Sequence, residues 1–123
     1  MAQVPPTLKK GAKGDGVKSL QNALRARGYD PGAVDGAFGG GTEKAVREFQ
    51  EASSLEVDGI AGPQTWQSLG VYVVQPGDTL RKIAEHELGD PERWSELYEA
   101  NDDLIDDPHT IHPGQIFVVP GAC

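Results

Sequence analysis

Cysteine is almost absent from this chain of 123 residues, which has one, Cys123, at its last position. A single thiol cannot form a disulfide within the chain, so any small core must be held together by packing alone. We interpret Cys123 as a solvated end, because chain termini are commonly poorly ordered, with an intermolecular bridge as the alternative.

Long apolar runs are also missing, and the first twenty residues contain neither a secretory signal nor a membrane span. Basic residues are scarce in the second half, because residues 71–123 carry three Lys or Arg against eleven acids while residues 1–70 are balanced. An acidic half repels phosphate backbones, which excludes nucleic acid as a partner and favours a neutral ligand. We likewise expect no membrane partner.

The sequence contains no recognisable catalytic or metal-binding motif. The pair His109 and His112 lies in a turn-rich segment, without the helical H-E-x-x-H context of zinc proteases, and metal sites need more ligands than this pair. Cys123 has no evident triad, and the glycines of residues 11–16 are not directly followed by the Lys-Ser/Thr of a phosphate loop. We predict no catalytic residues, no metal and no cofactor.

An internal repeat organises the first half. Residues 34–46 align with residues 57–69 through the pattern V-D-G-x-x-G-x-x-T-x-x-x-[VL]. Asp-Gly predicts a tight turn, Pro63 predicts a first helical position, and the alignment places another helix start at Gly40. With the amphipathic residues 17–24, the repeat predicts three helices joined by turns.

These residues resemble the peptidoglycan-binding-domain-like family of three-helix modules. The matching elements include Leu8, Lys10-Gly11, Val17, Leu20-Gln21, Leu24, Gly28-Tyr29, Val34-Asp35-Gly36, Phe38-Gly39, Thr42, Ala45-Val46, Phe49-Gln50, Val57-Asp58-Gly59, Ala61-Gly62-Pro63, Thr65-Trp66 and Leu69. The resemblance implies a helical bundle over residues 1–70, of a kind that docks cell-wall enzymes on the wall.

Two β-rich segments, residues 71–74 and 116–119, bracket the second half, and each adjoins a Pro-Gly turn. Between them, residues 80–88 have one apolar face, Gly89 closes that helix, and Asp90 with the following Pro opens another. The pattern predicts strand, helix, helix and strand, with a two-stranded antiparallel sheet that needs the helices to supply its core. The predicted fold class is therefore α+β: an N-terminal three-helix bundle and a C-terminal βααβ domain.

Residues 71–123 resemble a lysin-motif (LysM) domain. The residues that carry the match are Tyr72, Val74, Gly77-Asp78-Thr79-Leu80, Ile83-Ala84, Leu97 to Asn101, Ile111, Pro113-Gly114-Gln115, Phe117 and Val119-Pro120. The resemblance implies binding to glycans built on N-acetylglucosamine, in peptidoglycan or chitin. It implies a groove formed by Gly77, Asp78, Thr79 and Leu80 on one side and by Ile105, Asp106, Thr110, Ile111 and His112 on the other.

The chemistry of an N-acetyl group agrees with such a groove. Backbone groups in tight turns can meet its amide, and Leu80 or Ile111 can receive its methyl group. The same residues have an alternative interpretation, in which Asp78 and Thr79 cap a helix and Leu80 belongs to the core.

The segment of residues 101–109 is longer and more acidic than in a typical lysin motif, and it resembles the subgroup found in intracellular bacterial proteins and phage-tail-like assemblies. Its aspartates could attract a cation, but they lack the alternating ligands and glycine of an EF-hand, and a solvated loop is the better interpretation.

The leading hypothesis is a non-catalytic peptidoglycan-binding protein that anchors or targets to the bacterial cell wall. The first alternative is a connector in a phage-tail-like or contractile injection particle, and the second is cation sensing through the acidic loop. As given, the sequence predicts a cytoplasmic or particle-associated protein, facing the wall if delivered or trimmed. Because the junction at residues 69–72 is short and apolar, we expect the two domains to touch in one orientation.

Overall fold

The computed structural model describes residues 5–120, so the interpretation of Cys123 lies outside the described residues. The described chain forms five α-helices and two strands: α1 Asp15–Ala26, α2 Gly40–Ala52, α3 Pro63–Leu69, β1 Val71–Val73, α4 Leu80–Leu88, α5 Trp94–Ala100 and β2 Ile116–Val118. Short 3-10 turns precede and follow α5, at Pro91–Arg93 and Asp102–Leu104. The α+β fold class is confirmed. None of the described helices is both long and apolar enough to cross a membrane.

A buried glutamine fixes the Asp-Gly turn that precedes α3. The side-chain amide of Gln50 donates to the Asp58 carboxylate and the Ile60 carbonyl, both at 2.9 Å, and to the Thr65 hydroxyl at 3.2 Å. Its carbonyl oxygen accepts the backbone N–H groups of Asp58 and Gly59, at 3.2 and 3.0 Å. Gln50 is only 2% exposed, so these bonds satisfy a fully buried polar group and hold α2 against the start of α3.

The first repeat unit contains the same arrangement. Gln21, which is 1% exposed, donates to the Asp35 carboxylate, the Ala37 carbonyl and the Thr42 hydroxyl, at 3.0–3.1 Å. It accepts the N–H groups of Asp35 and Gly36 at 3.0 and 2.9 Å. The sequence repeat is therefore also a structural repeat, in which each unit consists of a buried glutamine, an Asp-Gly turn and a helix start.

The carboxylates of the two turns are stabilised in their charged form. The backbone N–H of Ala37, followed by the amide of Gln21, holds the pKa of Asp35 below its usual value. The N–H of Ile60, followed by the amide of Gln50, does the same for the pKa of Asp58.

The two-stranded sheet lies between two hydrophobic clusters. Its strands pair antiparallel, with Val71 opposite Val118 and Val73 opposite Ile116. These four side chains pack into the cluster of α1, α2 and α3. The alternate residues of the strands, Tyr72 and Phe117, pack with α4 and α5 in the second cluster. Because successive side chains point to opposite faces of a strand, the sheet serves both halves of the chain at once.

Asn101, at the end of α5, connects this sheet to both halves. Its side-chain amide donates to the carbonyls of Leu97 and Val118, at 2.8 and 2.9 Å. Its oxygen accepts the N–H of Val118 at 2.8 Å and the side-chain amide of Asn22, in α1, at 3.0 Å. The Asn22 amide also donates to the Ala100 carbonyl at 2.9 Å. Asn101 is completely buried, and its two donors and its acceptor oxygen are all used.

Arg27 adds a second link between the halves. Its guanidinium donates to the Leu69 carbonyl at 2.8 Å and to the Val119 carbonyl at 3.0 Å. Arg25 pairs with Asp103 at 2.5 Å, but this ion pair is about half exposed and adds little stability. The predicted domain division between residues 70 and 71 falls between α3 and β1. It stays a prediction, because the hydrophobic cluster around α1 also includes residues of the sheet.

We expect Gln50→Ala to lower the free energy of unfolding by about 2–4 kcal/mol, because it leaves buried N–H and C=O groups of the second turn without partners. Urea denaturation followed by circular dichroism measures this change. The matched control is Gln64→Ala, an exposed position in the first turn of α3. Equal stability of the two variants would contradict the assigned role.

Asn101→Ala should lower the free energy of unfolding by about 2–4 kcal/mol, because both β2 and Asn22 lose a buried partner. The same denaturation measurement checks this value, with Glu99→Ala, an exposed position in the last turn of α5, as the control. A loss no greater than that of the control would show that Asn101 does not hold the sheet.

Candidate functional site

A groove of about 340 Å³ lies between the start of α4 and the loop that precedes β2. Its apolar surface comes from Leu80, Trp94, Pro108 and Ile111. Its polar surface comes from Asp78, Thr79, Arg81 and His109. The volume is at the lower end of the range for ligand pockets, about 300–1,000 Å³. The groove therefore combines an apolar floor with a few polar groups.

The turn before α4 forms one wall. Thr79 is the N-cap of α4, where its hydroxyl oxygen accepts the Lys82 N–H at 3.2 Å, which leaves the hydroxyl proton free to donate. Leu80 is 3% exposed and packs in the second hydrophobic cluster, so it belongs to the core, and it also lines the groove.

Asp78 does not cap the helix. Its carboxylate accepts the Tyr72 hydroxyl at 2.5 Å and the Gln75 N–H at 2.8 Å, and so fixes the turn to β1. Burial, followed by this hydrogen bond to a carboxylate, raises the pKa of Tyr72 to about 12. Tyr72 therefore stays a neutral donor that holds Asp78 in place.

The loop before β2 forms the other wall, and Asp107 organises it. The Asp107 carboxylate accepts the His109 N–H, and the Asp107 carbonyl accepts the Thr110 N–H, both at 2.9 Å. This turn places Pro108 and His109 at the groove, while Ile111 is partly buried against the second cluster.

The sheet joins the two walls directly. The Val74 N–H donates to the Gln115 carbonyl, and the Gly114 N–H donates to the Val74 carbonyl, both at 2.8 Å. Val74 precedes the turn that forms the first wall, and Gly114 and Gln115 lie at the end of the loop that forms the second wall. These backbone hydrogen bonds therefore set the spacing of the two walls.

The structure brings together only part of the predicted site. Asp78, Thr79, Leu80 and Ile111 line the groove. The other five predicted residues lie elsewhere: Gly77 and Thr110 are exposed beside the groove, Ile105 is 4% exposed in the core, and Asp106 and His112 line a separate cleft.

Arg81, Trp94, Pro108 and His109 are groove residues that the sequence interpretation did not assign. Trp94 shares a helical face with Leu97, and helical periodicity alone predicts a core position for both. The opening Leu88-Gly89-Asp90-Pro91-x-x-Trp94 is distinctive for a lysin motif, and it is the signal in the sequence that sets Trp94 apart. His109 was considered only as a metal ligand, together with His112, and the two histidines line different cavities.

Two aspartates of the acidic loop make contacts within the chain. Asp103 pairs with Arg25, and Asp107 holds the turn described above. Within residues 5–120, no three His, Cys, Asp or Glu side chains are grouped so that they could hold a metal ion.

Most of the chain matches two known protein families. Residues 13–69 match the family described as "Putative peptidoglycan binding domain". Residues 72–120 match the family described as "LysM domain". These ranges agree with the two resemblances drawn from the sequence.

The curated relatives match about half of this chain. The chain is 48% identical over 62 residues to a spore cortex-lytic enzyme of Bacillus cereus, covering 50% of this chain and 24% of that protein. It is 44% identical over 77 residues to a zinc D-Ala-D-Ala carboxypeptidase of Streptomyces albus G, covering 58% and 28%. The chain thus spans about a quarter of the length of these relatives.

Solved structures give the same picture. The N-terminal domain of SleB is 46% identical, with a TM-score of 0.52, and the match covers 55% of this chain and 93% of that one. A Burkholderia AP3 phage endolysin is 33% identical over 76% of this chain and 38% of that one, also with a TM-score of 0.52.

Tyr72→Phe tests the link between the groove wall and the sheet. The folded-state pKa of Tyr72 is raised above the ordinary value of 10, so its stabilising effect is complete below pH 10 and is lost as the pH rises toward 12. We expect the wild type to be the more stable protein at pH 8, and the difference from Tyr72→Phe to shrink above pH 10. Urea midpoints of both proteins between pH 8 and 11.5 measure the difference, and a constant difference would contradict the assignment.

Proposed function

We propose, from the membership of this chain in the peptidoglycan binding domain family and the LysM family, that it binds the glycan of the bacterial cell wall and catalyses no reaction itself. The observation that carries the proposal is the pairing of these two families in one chain. By name, one relative acts on the spore cortex and another on D-Ala-D-Ala, and a third is an N-acetylmuramoyl-L-alanine amidase of Mycobacterium tuberculosis. The matched part of each is a minor share of its length, which supports a targeting role.

The groove beside α4 is the site that we assign to an N-acetylglucosamine unit. Leu80 and Ile111 supply an apolar surface for the methyl group of the N-acetyl substituent, and Trp94 supplies a flat face for a sugar ring. The Thr79 hydroxyl and the His109 ring supply hydrogen bonds to the hydroxyl and amide groups.

The shared sheet strengthens this proposal. Two weak binding modules gain affinity when they are held at a fixed distance, provided that both can reach the polymer at the same time. The bonds from Asn22 and Arg27 to the second half hold the modules in that way. We therefore propose that the N-terminal module also contacts the wall, and that the chain is located there.

A connector role in a phage-tail-like or contractile injection particle is the alternative hypothesis. It was suggested by the acidic loop, and the described structure uses Asp103 and Asp107 of that loop for contacts within the chain. No comparison above adds support for it. Co-purification of the chain with a sheathed particle would favour this alternative.

Retention on purified insoluble sacculi tests the glycan proposal. We expect the wild type to sediment with sacculi, and Trp94→Ala to lose about tenfold in affinity, or about 1.4 kcal/mol. Because Trp94 is partly buried, the double variant Arg81→Ala/His109→Ala provides a second test that leaves the core intact, with an expected loss of about threefold to tenfold.

The control is Arg47→Ala/His86→Ala, which removes the same side-chain types from exposed positions outside the groove. A wild type retained no better than a charge-matched unrelated protein would refute wall binding. Equal retention of the groove variant and the control would refute the assigned groove.

A further inference from the structure

A second cleft, of about 300 Å³, lies where the two halves of the chain meet. Asp15, Lys18 and Ser19 line it from α1, and Asp106 and His112 line it from the loop before β2. None of these residues lines the groove described above. The cleft therefore exists only because the two modules are joined in this orientation.

Ser19 gives a specific reason to expect a ligand there. It is 7% exposed, and its hydroxyl takes part in none of the hydrogen bonds found among residues 5–120. No fully enclosed side-chain oxygen or nitrogen of the described residues lacks a partner, so the Ser19 oxygen must open into the cleft. The Ser19 hydroxyl is therefore a polar group on the cleft wall that can bond to a ligand in place of water.

The charges around Ser19 have both signs. Asp15 and Asp106 are carboxylates that can accept bonds from an ammonium group. Lys18 and the backbone N–H groups at the N-terminus of α1 favour a carboxylate. Asp103 also lines the cleft, but its charge is offset by Arg25.

The loop wall of the cleft is held in place. The Gln115 side chain accepts the His112 N–H at 2.6 Å and donates to the Leu104 carbonyl at 3.4 Å. The described lining residues of the cleft include no Trp, Tyr or Phe, in contrast to the groove with Trp94. Its chemistry is that of a polar, mixed-charge site rather than a second sugar platform.

We propose that this cleft binds the free end of a diamino dicarboxylic acid residue in a peptide, where an ammonium and a carboxylate are carried on the same carbon. Asp15 and Asp106 receive the ammonium, Lys18 and the α1 N-terminus receive the carboxylate, and Ser19 bonds to either group. This inference rests on the proposed function, because the peptides of the cell wall are the source of such groups.

A titration of the full chain with meso-diaminopimelic acid, followed by NMR, tests the cleft without the wall. We expect shifts of the Gly16, Ser19 and His112 amides, and no comparable shifts with pimelic acid, which has the same carbon chain and carboxylates but no amines. The variant Ser19→Ala/Asp106→Asn should weaken binding about tenfold, whereas the control Ser68→Ala/Glu51→Gln, at exposed positions, should bind like the wild type. Equal shifts with both acids, or unchanged binding by the cleft variant, would overturn the proposal.

Sacculi treated with an amidase to remove their peptides separate this proposal from the glycan proposal. The wild type should bind intact sacculi more tightly than stripped glycan, and the cleft variant should bind both equally. If the wild type shows no preference for intact sacculi, the cleft proposal fails while the groove assignment stands. If the wild type binds neither material, the proposed function fails, and the diaminopimelic acid titration alone decides the cleft.

Discussion

The structure depends on a two-stranded sheet that packs against a hydrophobic cluster on each face, with β2 buried and β1 partly buried. Strands of three residues are too short to be stable alone, so each face needs a hydrophobic partner. One face packs on α1 and the other on α4 and α5. Asn101 completes the arrangement, because its fully buried amide bonds to β2 and to Asn22 of α1. The second half therefore obtains part of its core from the first.

The same sheet places both cavities. The start of α4 follows β1, and the loop of the opposite wall leads into β2, so the backbone bonds between Val74 and residues 114 and 115 set the width of the groove. The other side of that loop faces α1 and forms the second cleft. One loop thus contributes Pro108, His109 and Ile111 to the groove and Asp106 and His112 to the polar cleft. In the two proposals above, these sites contact the glycan and the peptide of the cell wall.

Local patterns predicted most of the fold. The repeat and the amphipathic spacing indicated three helices, and the two β-rich segments indicated the paired strands, because each signal depends on near neighbours in sequence. The glutamine bonds of Gln21 and Gln50 and the burial of the second sheet face depend on contacts between distant residues, which periodicity does not describe. For the same reason the site was only partly predicted. Helical periodicity places Trp94 on one face with Leu97 and does not separate a groove position from a core position, and the turn around Asp107 leaves Asp106 and His112 outside the groove.

The first hydrophobic cluster contains residues of both halves, and the two tryptophans allow a direct test of this shared core. Trp66 lies in the first hydrophobic cluster and Trp94 packs against the second, so Trp94→Phe and Trp66→Phe leave one reporter in each half. Urea denaturation followed by fluorescence should give coincident transitions for the two reporters, and adding Asn101→Ala should move both midpoints by the same amount. Two separate transitions, or a shift of only the Trp94 reporter, would contradict the shared core.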